Sequence, residues 1–445
     1  MTMTDNPYLA GNYAPVDVEH TAMDLPVTGT VPRELTGRYL RNGPNPVTPP
    51  EPSSYHWFTG DGMVHGIRLG DGRAEWYRNR WVRSQVVADA LGEPTRPGPV
   101  HAGMDFSPNT NVIGHSGRTF AIVEAGARPY ELTYELDTVG PCDLGGTLPG
   151  GYTAHPKRDP ATGELHAISY FWGWGNKVQY TVIGTDGLVR KAVDVEVGGS
   201  VSIHDMSLTE KYAVIYDLPV VFSLEAAAGG ASFPYRWDPD YQSRVGLLDR
   251  EGDGSAVTWF DVEPCYVFHP LNAYDDGDRV VLDVVRHPRM FATQLLGPDE
   301  GAPTLDRWTL DLNAGKLVEE RLDDHRQEFP RVDERVVGHR HRFGYAAAFL
   351  DDGSALYKHD LVAGTTETRK LNSPAGGSEA VFIPRSESAA EDDGWVMSLV
   401  LDSERGASDL VILDAQDFTG DPVAVVHLPG RVPFGFHGNW IPDSL

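Results

Sequence analysis

At 445 residues, 40% hydrophobic and 23% charged, the chain is too long for one small domain and too apolar for a disordered one. A net charge of -27 is the opposite of the Lys and Arg clustering that phosphate backbones need, which excludes nucleic acid as a partner. The only cysteines, Cys142 and Cys265, form no CxxC pair, which excludes a disulfide framework and a cysteine-based zinc site.

The first seven residues carry neither the basic nor the apolar region of a secretory leader. No window approaches the roughly 20 apolar residues of a spanning helix. The expected setting is cytoplasmic, with peripheral membrane contact left open. Residues 1 to about 35 are irregular and proline-punctuated, an arm laid over a larger body. From Gly37 onward, short β-prone runs alternate with turn signals. Asp-Gly pairs at Asp61-Gly62, Asp71-Gly72, Asp186-Gly187, Asp253-Gly254, Asp276-Gly277, Asp352-Gly353 and Asp393-Gly394 offer the positive φ of tight hairpins.

The runs themselves cover 63–69, 74–82, 178–183, 212–218, 280–285, 355–361, 395–401, 410–413 and 423–428. One short helix is expected over Gln85–Leu91, capped by Ser84 and closed by Gly92, and a second over 223–228. Nothing resembles alternating long helices and parallel strands. Recurring hairpins without a linker suit one β-propeller domain, residues 1–445, built from diverged four-stranded blades. A pair of β-sandwiches is the alternative.

Four of the 16 histidines stand at strand ends beside Pro, Gly or aromatic residues: His155, His204, His269 and His437. Taken singly, each is better explained as a hydrogen-bonded core or surface residue. Their separations are 49 (204 minus 155), 65 (269 minus 204) and 168 (437 minus 269), the last being three steps of 56. That spacing places them on inner strands of different blades, converging on one axis. Neutral imidazoles bind Fe, Cu, Zn or Ni without choosing among them. His325, His339 and His341 lie among Asp and Arg and read as surface residues. A ligating ring usually gives its other N–H to a carboxylate. Glu124, Glu328 and Glu379 lie in apolar segments, where they would offset a divalent ion. Glu124, 31 residues before His155 (155 minus 124), is the candidate partner of that ring.

Together the motifs resemble the carotenoid cleavage oxygenase family, which also includes stilbene-cleaving dioxygenases and the retinoid isomerohydrolase. The likeness begins at Glu34-Leu-Thr-Gly-Arg-Tyr-Leu-Arg-Asn-Gly-Pro-Asn-Pro46 and His56-Trp-Phe-Thr-Gly-Asp-Gly-Met-Val-His65. It continues through Ala154-His155-Pro156, His204-Asp205, Phe268-His269-Pro270, Glu328-Phe-Pro-Arg331 and Phe436-His437-Gly438. The resemblance implies an all-β, seven-bladed β-propeller, with short helices and loops capping one face over an axial Fe(II). The four histidines would hold the iron, the three glutamates would orient three of the rings, and the methyl of Thr110 would crowd an open iron position. The implied reaction is cleavage of a carbon–carbon double bond by O2 into two carbonyl products, with no catalytic residue required beyond the metal centre.

Stilbene-cleaving members place a lysine directly before the glutamate that matches Glu124, and here that position is Val123. Valine cannot donate to a phenolate, which favours an apolar polyene, a carotenoid or apocarotenoid. Phe171, Trp172, Trp174 and Phe268, with Val123, are the expected tunnel wall. Apolar stretches at 218–233 and 86–91 are candidates for a membrane-facing entrance. Two rival readings stand beside this one: the same chemistry on a stilbene or phenylpropanoid, and a binding propeller whose histidines are core residues or a zinc site.

Overall fold

The computed structural model describes residues 6–298, 300–350, 353–371 and 378–443. Among them are seven antiparallel sheets of four or five strands, the blades of a seven-bladed β-propeller. Five blades are simple meanders, each with its strands in sequence order, and their innermost strands are Asn111–His115, Lys157–Arg158, Ser207–Leu208, Tyr266–Asp276 and Gln327–Arg331. The remaining two have five strands and join the ends of the chain. Gly438–Pro442 is innermost in one and pairs with Gly37–Pro44, while Val381–Pro384 is innermost in the other.

Strand position follows composition. The inner strand Tyr266–Asp276 is buried for its first nine residues and reads as a nearly continuous apolar run. Outer strands such as Val189–Glu196 and Lys316–Asp323 alternate exposed and half-buried positions, with Lys, Arg and Glu on the open edge. Charged side chains there discourage pairing with other chains.

The arm is more ordered than its composition suggests. Thr21–Met23 adds an outer strand to one five-stranded blade by pairing with Arg73–Trp81, and Val27–Gly29 adds one to the other by pairing with Ala424–His427. These strands borrow their partners from distant sequence, so no local pattern announces them. Asp-Gly turns form at Asp71-Gly72, Asp186-Gly187, Asp253-Gly254 and Asp276-Gly277, where each glycine has positive φ. Gly62 and Gly394 instead open strands, and Asp352 lies outside the described residues.

The expected helix forms at Gln85–Leu91, with Ser84 accepting from the Val87 amide and Gly92 in the left-handed region. The second helix is Leu224–Ala228, and Ser223 is its cap rather than its first residue. This helix sits within an excursion, the hairpin of Val220–Phe222 and Tyr235–Trp237, that leaves its blade between Tyr212–Asp217 and Arg244–Asp249. Val86 of the first helix and the segments on either side of the second, Phe222 and residues 231–235, wall a cavity above the histidines. His341, expected at the surface, is buried 3.2 Å from Asp283, because its neighbours Arg340 and Arg342 turn outward to Asp276 and Asp360.

Candidate metal centre

The inner strand of each blade brings one polar residue to the axis. In chain order these are Thr110, His155, His204, His269, Glu328, Glu379 and His437, each within an innermost strand or at most three residues before it. Local irregularity aims two of them. Pairing slips between Val267 and Pro270, which puts His269 in a bulge, and again between Glu328 and Arg331. Phe329, in that second bulge, has φ of 53°, a strained conformation for a non-glycine residue. Pro156 and Pro330 cannot donate to a ladder, and Pro270, opposite Val284, sits between the two register slips of its strand.

The four imidazoles are buried and converge through Nε2. That atom of His155 lies 2.9 Å from its counterpart in His204, His204 lies 3.1 Å from His269, and His269 lies 3.1 Å from His437. All four ligand nitrogens fall within 4.8 Å of one another. Behind them, His204 Nδ1 donates to Glu124 at 2.7 Å, His269 Nδ1 to Glu328 at 2.6 Å and His437 Nδ1 to Glu379 at 3.0 Å. A carboxylate only accepts, so these rings carry their proton on Nδ1 and present a bare lone pair at Nε2.

Such a convergence of lone pairs could hold a cation: four imidazole nitrogens within 4.8 Å of one another are a donor set that fits a metal ion. Burial, followed by the three neighbouring rings, pushes His155 well below the usual imidazole range, and burial holds His269 at about 4 despite Glu328. Burial lowers His204 too, but Glu124 outweighs it and the net shift is upward; a bound metal would need that ring, like the others, in its neutral form.

Glu124 partners His204, not His155 as its sequence position suggested. The register of the blades decides this: Glu124 follows the second strand of its blade, Arg118–Ile122, and reaches past the nearer ring. His155 has Asp205 instead, 3.7 Å from its Nδ1 and tied to Lys157 at 2.8 Å. Arg331 lies 3.0 Å from Glu379. Burial favours a neutral Glu379, but Arg331 and then His437 outweigh it and hold the carboxyl down at about 2. Around the rings, the four carboxylates Glu124, Glu328, Glu379 and Asp205 face the two cations Lys157 and Arg331. On formal charges this leaves two negative charges, which a divalent ion would offset. Asp205 and Arg331 stand in the motifs quoted above and Lys157 directly follows one of them, but their types gave no sign of this role. His287, which bonds the far oxygen of Glu328 at 2.7 Å, had no signal at all.

His204, His269 and His437 open into a cavity of about 850 Å³ whose walls are mainly apolar and aromatic. Thr110 lines it too. Its hydroxyl donates to Asn109 at 2.9 Å, which leaves the methyl to face the cavity, and its carbonyl receives the His437 amide. Of the expected tunnel residues, Val123, Trp172 and Phe268 line the cavity, whereas Phe171 and Trp174 do not. The short turn Trp172–Trp174 splits the cluster: Phe171 packs over Gly126 and Trp174 over Gly150, and both rings meet His101.

Residues 13–442 match the family model described as retinal pigment epithelial membrane protein. A carotenoid cleavage oxygenase of Mycobacterium tuberculosis is 50% identical, over 99% of this chain and 98% of its own length. A carotenoid 9,10(9',10')-cleavage dioxygenase of Crocus sativus is 32% identical over 98% of this chain and 89% of its own. Among solved structures, the lignostilbene dioxygenase of Pseudomonas brassicacearum superposes with a TM-score of 0.89 at 28% identity, covering 98% of this chain and 99% of that one. With the propeller, the axial histidines and these relatives in agreement, the chain belongs to the carotenoid cleavage oxygenase family and is an oxygenase.

Proposed function

We propose that this chain is a non-haem Fe(II) dioxygenase that cleaves a carbon–carbon double bond of a carotenoid or apocarotenoid with O2, giving two carbonyl products. The observation that carries the reading is the opening of bare imidazole nitrogens directly into a large apolar cavity. His155, His204, His269 and His437 would hold the iron, and Glu124, Glu328 and Glu379 would fix the rings that face the cavity. Fe(II) bound there supplies open positions and the electron density that O2 needs in order to react.

The protein's own work is placement and exclusion. Phe58, Phe268 and Phe436 surround the mouth of the site and would grip a flat polyene while keeping water out. Thr110 would narrow the space beside His437. Val123, next to Glu124, presents methyl groups where a phenolic substrate would need a cation, which supports a polyene.

The cavity rim supports uptake from a membrane. Val86, 59% exposed, lines the cavity together with the partly exposed Phe106 and Trp172, and Leu224, 76% exposed, lies two residues past the lining residue Phe222. Among the described residues no helix is long and apolar enough to cross a bilayer, so any such contact would be peripheral.

A second reading, cleavage of a stilbene or phenylpropanoid, draws on the likeness to the lignostilbene dioxygenase. Metal analysis of protein purified without chelator, then incubation with an apocarotenal and with a hydroxystilbene under air, distinguishes the readings. Iron at about one per chain and cleavage of the apocarotenal are expected. Cleavage of the stilbene alone moves the substrate to the second reading, and zinc or no metal overturns the iron assignment.

A further inference from the structure

Glu328 serves two imidazoles at once. Its Oε2 accepts from His269 Nδ1 at 2.6 Å and from the Phe329 amide, while its Oε1 accepts from His287 Nε2 at 2.7 Å. His287 ends the strand Arg279–His287, opposite Tyr266 in the same blade as His269. It is buried, and its Nδ1 meets no hydrogen-bond partner among the described residues. All of its polar engagement is therefore with Glu328.

That arrangement is a poor choice for packing alone. A buried polar atom without a partner is destabilising, and an apolar side chain here would avoid that cost. The charge-assisted bond on the other side of the ring offsets the cost only because a carboxylate is there to be held. Carboxylates accept and do not donate, so the proton of His287 sits on Nε2 and points at Glu328.

The three carboxylates differ in how they are held. Glu379 has Arg331 and the Gly438 amide, and the second oxygen of Glu124 has no partner among the described residues. Glu328 is braced by another imidazole, and that imidazole forms part of the cavity wall. Phe268, also in that wall and adjacent in sequence to His269, stands edge-on to it at 5.2 Å.

We propose that His287 is a positioning residue: by holding Oε1 of Glu328 it fixes the carboxylate that aims His269, and it ties the cavity wall to the metal centre. The inference rests on reading the four axial rings as a metal site. Its test compares the full-length wild type with His287→Leu, which fills similar space without a donor, and His287→Gln, whose amide can still reach Glu328. Each protein is titrated with Co(II) against a chelator, the visible spectrum of the bound ion is recorded, and the fold is checked by far-UV circular dichroism.

The Leu variant should lose about tenfold in Co(II) affinity and show displaced visible bands, while the Gln variant stays within about twofold of wild type. If the Leu variant does not fold, His287→Asn, too short to reach the carboxylate, should show the same loss. Leu or Asn variants with wild-type affinity and spectrum overturn the proposal, as does a folded Gln variant as weak as Leu. A wild-type protein that binds no Co(II) removes the metal reading and this inference with it, an outcome distinct from indifference of the variants.

Discussion

Arg331 and Glu379 form a largely buried ion pair at 3.0 Å directly behind the axial ring of His437. The arginine also donates to the carbonyl of Gly438, so it holds both the carboxylate and the backbone next to that ring. Removing one partner of a buried pair strands the other charge. Arg331→Met should lower unfolding stability by about 3–5 kcal/mol, read as a shift in urea midpoint. Metal retention in the folded fraction should fall with it, because Glu379 would then lack the charge that keeps it ionised.

The metal reading makes a graded prediction across the ligand set. His269→Ala should abolish both iron retention and turnover, since this ring lies between two others at 3.1 Å. Glu124→Gln, Glu328→Gln and Glu379→Gln should each keep the fold and lose about 10–100-fold in metal affinity. Iron content after dialysis, followed by chelator competition, measures both. Iron retention at wild-type level in His269→Ala would remove that residue from the site.

Much of this centre was legible in the sequence, and the reasons are physical. A ring of strands must place its axial residues at intervals of about one blade, so the spacing of His155, His204, His269 and His437 betrayed a common axis. Second contacts obey no such interval. Glu124 reaches His204 rather than His155, although the whole blade of His155 lies between theirs in the chain, a contact made across the axis over 80 residues of sequence (204 minus 124). His287 ends an ordinary apolar strand, and only the fold sets it against Glu328. Phe171 and Trp174 looked equivalent to Trp172, yet a single tight turn sends just one of the three to the cavity. The strands Thr21–Met23 and Val27–Gly29 stayed hidden because their pairing partners lie elsewhere.

Substrate choice should respond to one position. Val123 lines the cavity immediately before Glu124. Val123→Lys places an ammonium where stilbene-cleaving members carry one, and a hydrogen bond to a charged group contributes about 1.5–3 kcal/mol. The ratio of kcat/KM for a hydroxystilbene over an apocarotenal should rise by about tenfold or more. An unchanged ratio would dissociate Val123 from substrate choice.

Acid should weaken the fold through Asp283. This carboxylate is buried, held bidentately by Arg307 at 2.7 and 2.8 Å and approached by His341 at 3.2 Å. Burial favours its neutral form, but Arg307 and His341 outweigh that and hold the pKa below the ordinary 3.8. A lowered folded-state pKa gives stability that is complete above the unfolded value and lost as pH falls through the folded one. Asp283→Asn should therefore be less stable than wild type near neutrality, with the gap narrowing below about pH 4. Urea midpoints measured across that range test the sign.

The exposed rim makes a salt-insensitive prediction. Leu224→Glu together with Val86→Glu should abolish flotation with neutral phosphatidylcholine vesicles, while wild-type flotation survives moderate salt. The net charge of -27 offers no electrostatic attraction to anionic lipid, so the contact must be apolar. Loss of wild-type flotation at moderate salt would rule out this docking mode.

The fourth imidazole comes from the segment that seals the ring. His437 immediately precedes Gly438–Pro442, the strand that pairs back onto Gly37–Pro44 some 400 positions earlier in the chain. During synthesis, three of the four nitrogens can be in place while the propeller is still an open arc. The complete coordination set exists only once that arc has joined its own beginning. A metal held by all four rings would then report ring closure and act as a clasp across the seam, resisting separation of the strands Gly438–Pro442 and Gly37–Pro44.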